Sequence, residues 1–288
     1  MLGRFIVPAA RLTELDAHAE LLRDPARGPC RFSVLVGGGR CAGAAGAALR
    51  DHLALLRRFR AHHGDAVRVD VLETRLPDDV AASGDPAPTV RYLESALEAI
   101  TDPRDVDGLE LFVEIAGPAA GREQVEAAIE GAAGVARRSP GGLRLGIKLR
   151  CGGVEPGAFP TPERVASVLG ACHARGLPLK CTAGLHHPLR HPAPDIGAGV
   201  VMHGFVNVFG AGVLLDAGAL RPDTLATCLA DQEAGSFRFD GATFAWREAR
   251  CDARQINTAR RRFMTSYGSC SFDEPRDDLR ALGWLPAT

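Results

Sequence analysis

The chain has 288 residues, 46% hydrophobic and 24% charged, which excludes a disordered tail, a collagen-like repeat and a small disulfide-stapled module. Thirty-four basic and thirty-five acidic side chains leave a formal net charge of −1, and aromatics are only 6%, so neither a basic excess nor a base-stacking set points to nucleic acid. Eight cysteines (Cys30, Cys41, Cys151, Cys172, Cys181, Cys228, Cys251, Cys270) form no CxxC pair. They read as reduced thiols of a cytoplasmic protein with no structural zinc.

In chain order, the opening MLGRFIVP carries too short an apolar run for a signal peptide, and no stretch suits a bilayer span. Residues 11–24 (RLTELDAHAELLRD) have helical spacing and predict a lead-in helix. Strand-like and helix-like segments then alternate. Arg31–Val36 is a strand closed by Gly37-Gly38-Gly39, and residues 44–63 repeat Leu at helical intervals. Val67–Glu73 is a strand, and Val90–Ile100 a helix ended by Asp102-Pro103. Leu109–Ile115 is a strand, Gly121–Arg138 a helix, and Leu143–Lys148 a strand. A further helix opens at Thr161-Pro162-Glu163, where Thr caps and Pro takes the first helical position. Leu177–Thr182 is the fifth strand.

Beyond it, Met202–Phe209 reads equally as a sixth strand or as the start of a buried helix running to Asp216. Phe237–Trp246 predicts a strand pair turning at Asp240-Gly241, Arg254–Ser266 a helix, and Gly268–Phe272 a last short strand or mouth loop. Five strands spaced about 34–42 residues apart, with helices between, predict a parallel sheet with helical crossovers. No linker divides the chain, so residues 1–288 are expected to form one α/β domain. The expected fold is a (β/α)8, TIM-barrel-like domain, irregular in its C-terminal third. No GxGxxG follows the first strand, and GGGR at 37–40 is not a phosphate-binding P-loop.

Composition singles out two residues. Lys148 and Lys180 are the only lysines, against thirty-two arginines. Arg replaces Lys on a solvated surface but cannot act as a deprotonated amine. Each lysine follows an apolar β-type residue, Ile147 or Leu179, and opens a Lys-x-x-x-Gly unit, Lys148–Gly152 and Lys180–Gly184, 32 residues apart. They should therefore stand on neighbouring strands, where two ammonium groups repel and one proton is more easily lost. Such an amine attacks a carbonyl to form a Schiff base. Two other roles remain open: clamping an anionic group, or pairing with Glu73 and Glu114 in a buried ion network.

Glu73 and Glu114, at strand ends, are candidates for orienting groups or for acid–base steps, and equally for solvent-facing positions. His186 and His187, directly after Lys180, are candidate proton shuttles. With His191 they also suggest a zinc-type site completed by strand-end carboxylates, although adjacent histidines diverge and Pro188 interrupts a helix. His203 lies close in sequence. Arg75 and Arg150 are candidate clamps for carboxylate or phosphate. Ser269, Cys270 and Ser271, in the Gly268–Phe272 segment, offer small hydroxyls and backbone amides to an anion. Cys270 has no base beside it in sequence. The runs Arg57-Arg58-Phe59-Arg60 and Arg260-Arg261-Arg262 read as solvated helix faces.

The segments IKLRCGG and LKCTAGL resemble the lysine strands of class I aldolases of the deoxyribose-phosphate aldolase type. That resemblance implies a barrel in which Lys148 or Lys180 forms the imine while the other lowers its pKa, without saying which. The chain departs from the family after Lys180, where Leu-His-His-Pro replaces a Gly-rich phosphate turn. Over the last hundred residues the chain more closely resembles a bacterial and plant family with no assigned activity. It shares with that family KxTAGLHHP (Lys180–Pro188), MHGFxNVF (Met202–Phe209) and SxGSCSFxEPxxDLxxLG (Ser266–Gly283).

The function expected from these readings is that of a lyase or aldolase-type enzyme. It would form a lysine Schiff base with a small anionic carbonyl substrate, phosphorylated or carboxylated, and cleave or join a C–C bond or dehydrate it. No cofactor, metal, nucleic acid or membrane is expected, and a homo-oligomer is left open. The alternatives are a metal-dependent lyase or hydrolase built on His186, His187 and His191, and a non-catalytic barrel that binds a small ligand.

Overall fold

The computed structural model describes residues 3–23, 28–100, 108–115, 117, 120–139 and 143–286. The Asp102-Pro103 helix stop and the end of the lead-in segment at Asp24 lie outside them. Two compact units divide the chain. One comprises Met1–Ala116 and Glu123–Ile147, the other Gly117–Arg122 and Lys148–Thr288.

The first unit opens with β1 (Phe5–Pro8), a strand absent from the sequence reading. A 3-10 run, Ala9–His18, follows and passes into the single turn α1 (Ala19–Leu22). The lead-in segment is thus mainly 3-10 rather than α-helix. Its buried residues, Ala9 and Leu12, stand three apart, the period of the tighter helix. Next come β2 (Cys30–Leu35), α2 (Ala42–His63), β3 (Val67–Arg75), α3 (Asp78–Ala81), α4 (Pro86–Ile100), β4 (Glu110–Glu114) and α5 (Arg122–Ala136). The stripe Ala45, Leu49, Leu53, Leu56, Phe59 makes α2 amphipathic and buries one face. β1, β2, β3 and β4 pair in parallel, with Leu35 beside Glu73 and Arg75 beside Glu114. Near the start of β3, buried Asp70 accepts from Arg4 at 3.3 Å and from Arg31 and Arg68 at 2.5 Å each. A carboxylate so placed is tolerated inside only because cations surround it.

β5 (Arg144–Arg150) leads into the second unit. There follow α6 (Pro162–Ala174), β6 (Leu179–Thr182), β7 (His191–Pro192), β8 (Val201–Met202), α7 (Phe205–Asp216) and α8 (Leu225–Ala230). The chain ends with β9 (Phe237–Phe239), β10 (Thr243–Trp246), β11 (Ala249–Asp252), α9 (Ala253–Arg262), β12 (Met264–Gly268) and α10 (Asp273–Ala281). Thr161 caps α6 as expected, accepting from Arg164 N–H, with Pro162 at the first position. The apolar run after Met202 is a helix, buried at nearly every position. Its glycines admit neighbours closely: a Cβ on Gly210 would lie 2.5 Å from the Phe244 ring.

The strand order of the main parallel sheet is β1-β2-β3-β4-β5-β6-β12. The described residues therefore supply seven strands to it rather than the eight expected. β7 and β8 form a separate antiparallel pair, and β9, β10 and β11 a three-stranded antiparallel sheet. Among the described residues no helix is long and apolar enough to cross a membrane.

Candidate active site

β6 is buried at all four positions, and the register on either side of it defines a site. On one side, β12 sets Ser266 beside Lys180, Tyr267 beside Cys181 and Gly268 beside Thr182. Tyr267 stacks on Phe205 of α7, with ring centroids 5.2 Å apart and planes within 7°. Because strand side chains alternate, Cys181 and Tyr267 face that helix, whereas Lys180, Thr182 and Ser266 face the opposite way. On the other side, Cys151 N–H donates to Thr182 O at 2.8 Å. A regular parallel ladder continued back from this bond places Arg150 beside Thr182 and Lys148 beside Lys180.

Both lysines are buried, Lys148 at 5% exposure and Lys180 at 3%. Ammonium groups so thoroughly withdrawn from water are unusual in any fold. Thr182 shares their face, and its buried hydroxyl has no hydrogen-bond partner among the described residues. Thr182 is a candidate that the sequence reading overlooked; its signal was the alternation Lys180-x-Thr182 on one buried strand. Cys181, on the opposite face, is a poor nucleophile. Its hydrogen bond with Cys151 and its burial push its thiol well above the ordinary range.

The repeated Lys-x-x-x-Gly unit acquires a steric cause. A Cβ on Gly152 would sit 2.9 Å from Gly184 Cα, and the reverse approach is equally short. The two strand exits can lie side by side only because both positions lack a side chain. Gly184 also has φ +67°, and Ala183 before it φ +61°, the left-handed region that Gly tolerates and Ala does not favour.

The histidines that follow are held by α10. His186 Nδ1 lies 3.1 Å from Glu274 Oε2, and His187 Nδ1 lies 2.5 Å from Asp278 Oδ2. Glu274 and Asp278 are one helical turn apart, so a single helix face presents a carboxylate to each ring. The His187 and His191 rings stand 4.1 Å apart. His191 is pushed down by burial, partly countered by its hydrogen bond to Leu189 O. Cys270 Sγ lies 3.7 Å from both nitrogens of His186, so the thiol does have an imidazole beside it in space. Ser271 Oγ accepts from Glu274 N–H at 3.2 Å, and Ser269 Oγ from Ser271 N–H at 3.3 Å. Both hydroxyls thus secure the approach to α10, a local role the sequence reading did not anticipate.

His203 is fully buried and structural. It receives Arg190 at Nδ1 (3.3 Å) and so must donate from Nε2 to Pro160 O (2.7 Å). Burial lowers its pKa to about 4.

Glu73, Arg75 and Glu114 belong to the first unit. Glu73 is buried and accepts from Ser33 Oγ at 2.5 Å. Thr74 bonds Tyr92 of α4 at 3.2 Å, so Glu73 occupies the face away from that helix. Glu114 is half-buried, and its carbonyl accepts from Leu76 N–H at 2.9 Å. Arg75 is exposed and paired with Asp78 at 2.7 Å. Among the described residues one trio of candidate metal ligands converges within 4.8 Å, Asp16, His62 and His63, also in the first unit.

No family model matches this chain, and no curated protein matches it.

Proposed function

We propose that this protein is a lyase of the imine-forming kind, acting on a small anionic carbonyl compound through Lys148 or Lys180. The observation that carries the reading is the burial of both lysines on neighbouring strands, facing the same way. Buried amines on adjacent strands favour loss of one proton, and the neutral amine adds to a carbonyl carbon. Water leaves, and the resulting iminium draws electrons from the adjacent bond, so a C–C bond breaks or forms, or a β-hydroxyl is eliminated. The Thr182 hydroxyl is available to hold the substrate oxygen. His186 with Glu274 and His187 with Asp278 are carboxylate-oriented imidazoles suited to moving protons. Arg150, placed beside Thr182 by the ladder, suits the substrate's anionic group. The (β/α)8 expectation belongs to this proposal and rests on the parallel strand order with helical crossovers.

The test is borohydride trapping with acetaldehyde, glycolaldehyde phosphate and pyruvate as probes, read by peptide mass. A reduced adduct on Lys148 or Lys180, lost in the matching Lys→Arg variant, is expected. Absence of any adduct on either lysine would overturn the proposal. Retention of probe binding in both Lys→Arg variants would instead favour a binding protein.

A second reading, a metal-dependent lyase or hydrolase built on His186, His187 and His191, has less support, because the trio of candidate ligands that converges among the described residues is Asp16, His62 and His63. Stoichiometric zinc, manganese or iron in the purified protein, lost in His186→Ala, would establish it over the imine.

A further inference from the structure

The first unit contains a cavity of about 300 Å³ lined by α2 and α4, with Asp79 and Val80 of α3. Its floor is apolar: Leu49, Val80, Tyr92 and Ala96 are all buried. Arg50 from α2 and Arg91 from α4 also line it, exposed at its edge together with Ser95. Several other arginines of this unit are engaged: Arg4, Arg31 and Arg68 by Asp70, Arg138 by Glu94 and Arg144 by Glu110. Arg50 and Arg91 have no hydrogen bond or ion pair among the described residues. Asp79 is the one acidic residue in the lining, and its Oδ2 accepts from Ala42 N–H at 3.3 Å. Two guanidinium groups facing one carboxylate leave the cavity cationic.

We propose that this cavity binds a small organic anion, with its charged group between Arg50 and Arg91 and its apolar body on the Leu49–Ala96 floor. The volume lies at the lower end for small-molecule sites and suits a ligand of one ring and one headgroup. Guanidinium groups bind phosphoryl or carboxylate oxygens through paired N–H donors, and Ser95 can add a hydroxyl. The site does not depend on the lysines of the second unit.

Phenyl phosphate serves as the probe, with orthophosphate for the headgroup alone and phenol for the body alone, titrated calorimetrically against the full chain. The expected result is one-to-one binding of phenyl phosphate, at least about tenfold tighter than either fragment and weakened by salt. The exposed double variant Arg50→Gln/Arg91→Gln should weaken it at least about tenfold while Lys148→Arg leaves it unchanged. Binding that survives the double variant, phenol binding as tightly as phenyl phosphate, or no binding of phenyl phosphate would each overturn the proposal.

Discussion

Gly184 and Gly176 share a φ of +67° but differ in surroundings, which makes them a matched pair. At Gly176 a Cβ would meet nothing within 4 Å; at Gly184 it would lie 2.9 Å from Gly152 Cα and 3.1 Å from Cys151 O. Alanine at Gly176 should cost only the left-handed penalty, about 1 kcal/mol after the loss of unfolded-state freedom. Alanine at Gly184 carries that penalty and an overlap with backbone that cannot rotate away, about 1–3 kcal/mol more. Gly152→Ala has no positive φ to pay for and should show the contact alone, against Gly184 Cα and the Phe159 ring at 2.6 Å. Urea unfolding followed by circular dichroism reads all three. Equal losses for Gly176→Ala and Gly184→Ala would refute the contact between the strand ends.

Further expectations concern the second unit. His203, held neutral in the fold at about 4 against about 6.5 when unfolded, makes the unfolded chain bind the extra proton as pH falls. Stability should therefore drop by about 2 kcal/mol between pH 7 and pH 5, and level off below pH 4; a denaturation series in which His203→Gln keeps the same acid limb would contradict this. Asp252 and Gln255 form a reciprocal cap on α9, with Asp252 Oδ1 accepting from Gln255 N–H at 2.7 Å and Gln255 Oε1 from Asp252 N–H at 3.0 Å. Asp252→Ala should cost about 1 kcal/mol in urea, and no change would show the cap to be inert. Asp231 accepts from Trp246 Nε1 and from Arg247, each at 2.9 Å. Asp231→Ala should cost about 2–3 kcal/mol, with a shift in tryptophan emission; an unaltered spectrum would argue against the bond.

The strands from Cys30 to Thr182 were legible because buried parallel strands are written as short β-branched and leucine runs between amphipathic helices. Arg254–Ser266 was harder. The helix stops at Arg262, and Met264–Gly268 is the strand completing the far side of β6, although Met264–Ser266 reads as the helix's last turn and Gly268 as the start of a later strand or mouth loop. Three arginines in the last turn of α9 were the overlooked stop signal, since cations favour a helix C-terminus. The lysine pair was visible through scarcity and spacing. The partners of the histidines were not, since Glu274 lies 88 residues from His186 and Asp278 lies 91 from His187. Adjacent histidines normally diverge, and nothing local could show that one helix face would meet them both.

The position of β12 bears on how the chain emerges during synthesis. Leu179 on β6 and Thr265 at the start of β12 bond across 86 residues of sequence. Until that length has been made, β6 has one edge of unpaired backbone, an invitation to pair with another chain. Contacts this distant in sequence form slowly, because the loop must close before it is rewarded. The strand bearing Lys180 is therefore among the last to gain its neighbour, and a chain ended before Met264 would leave its exposed edge at Lys180 itself.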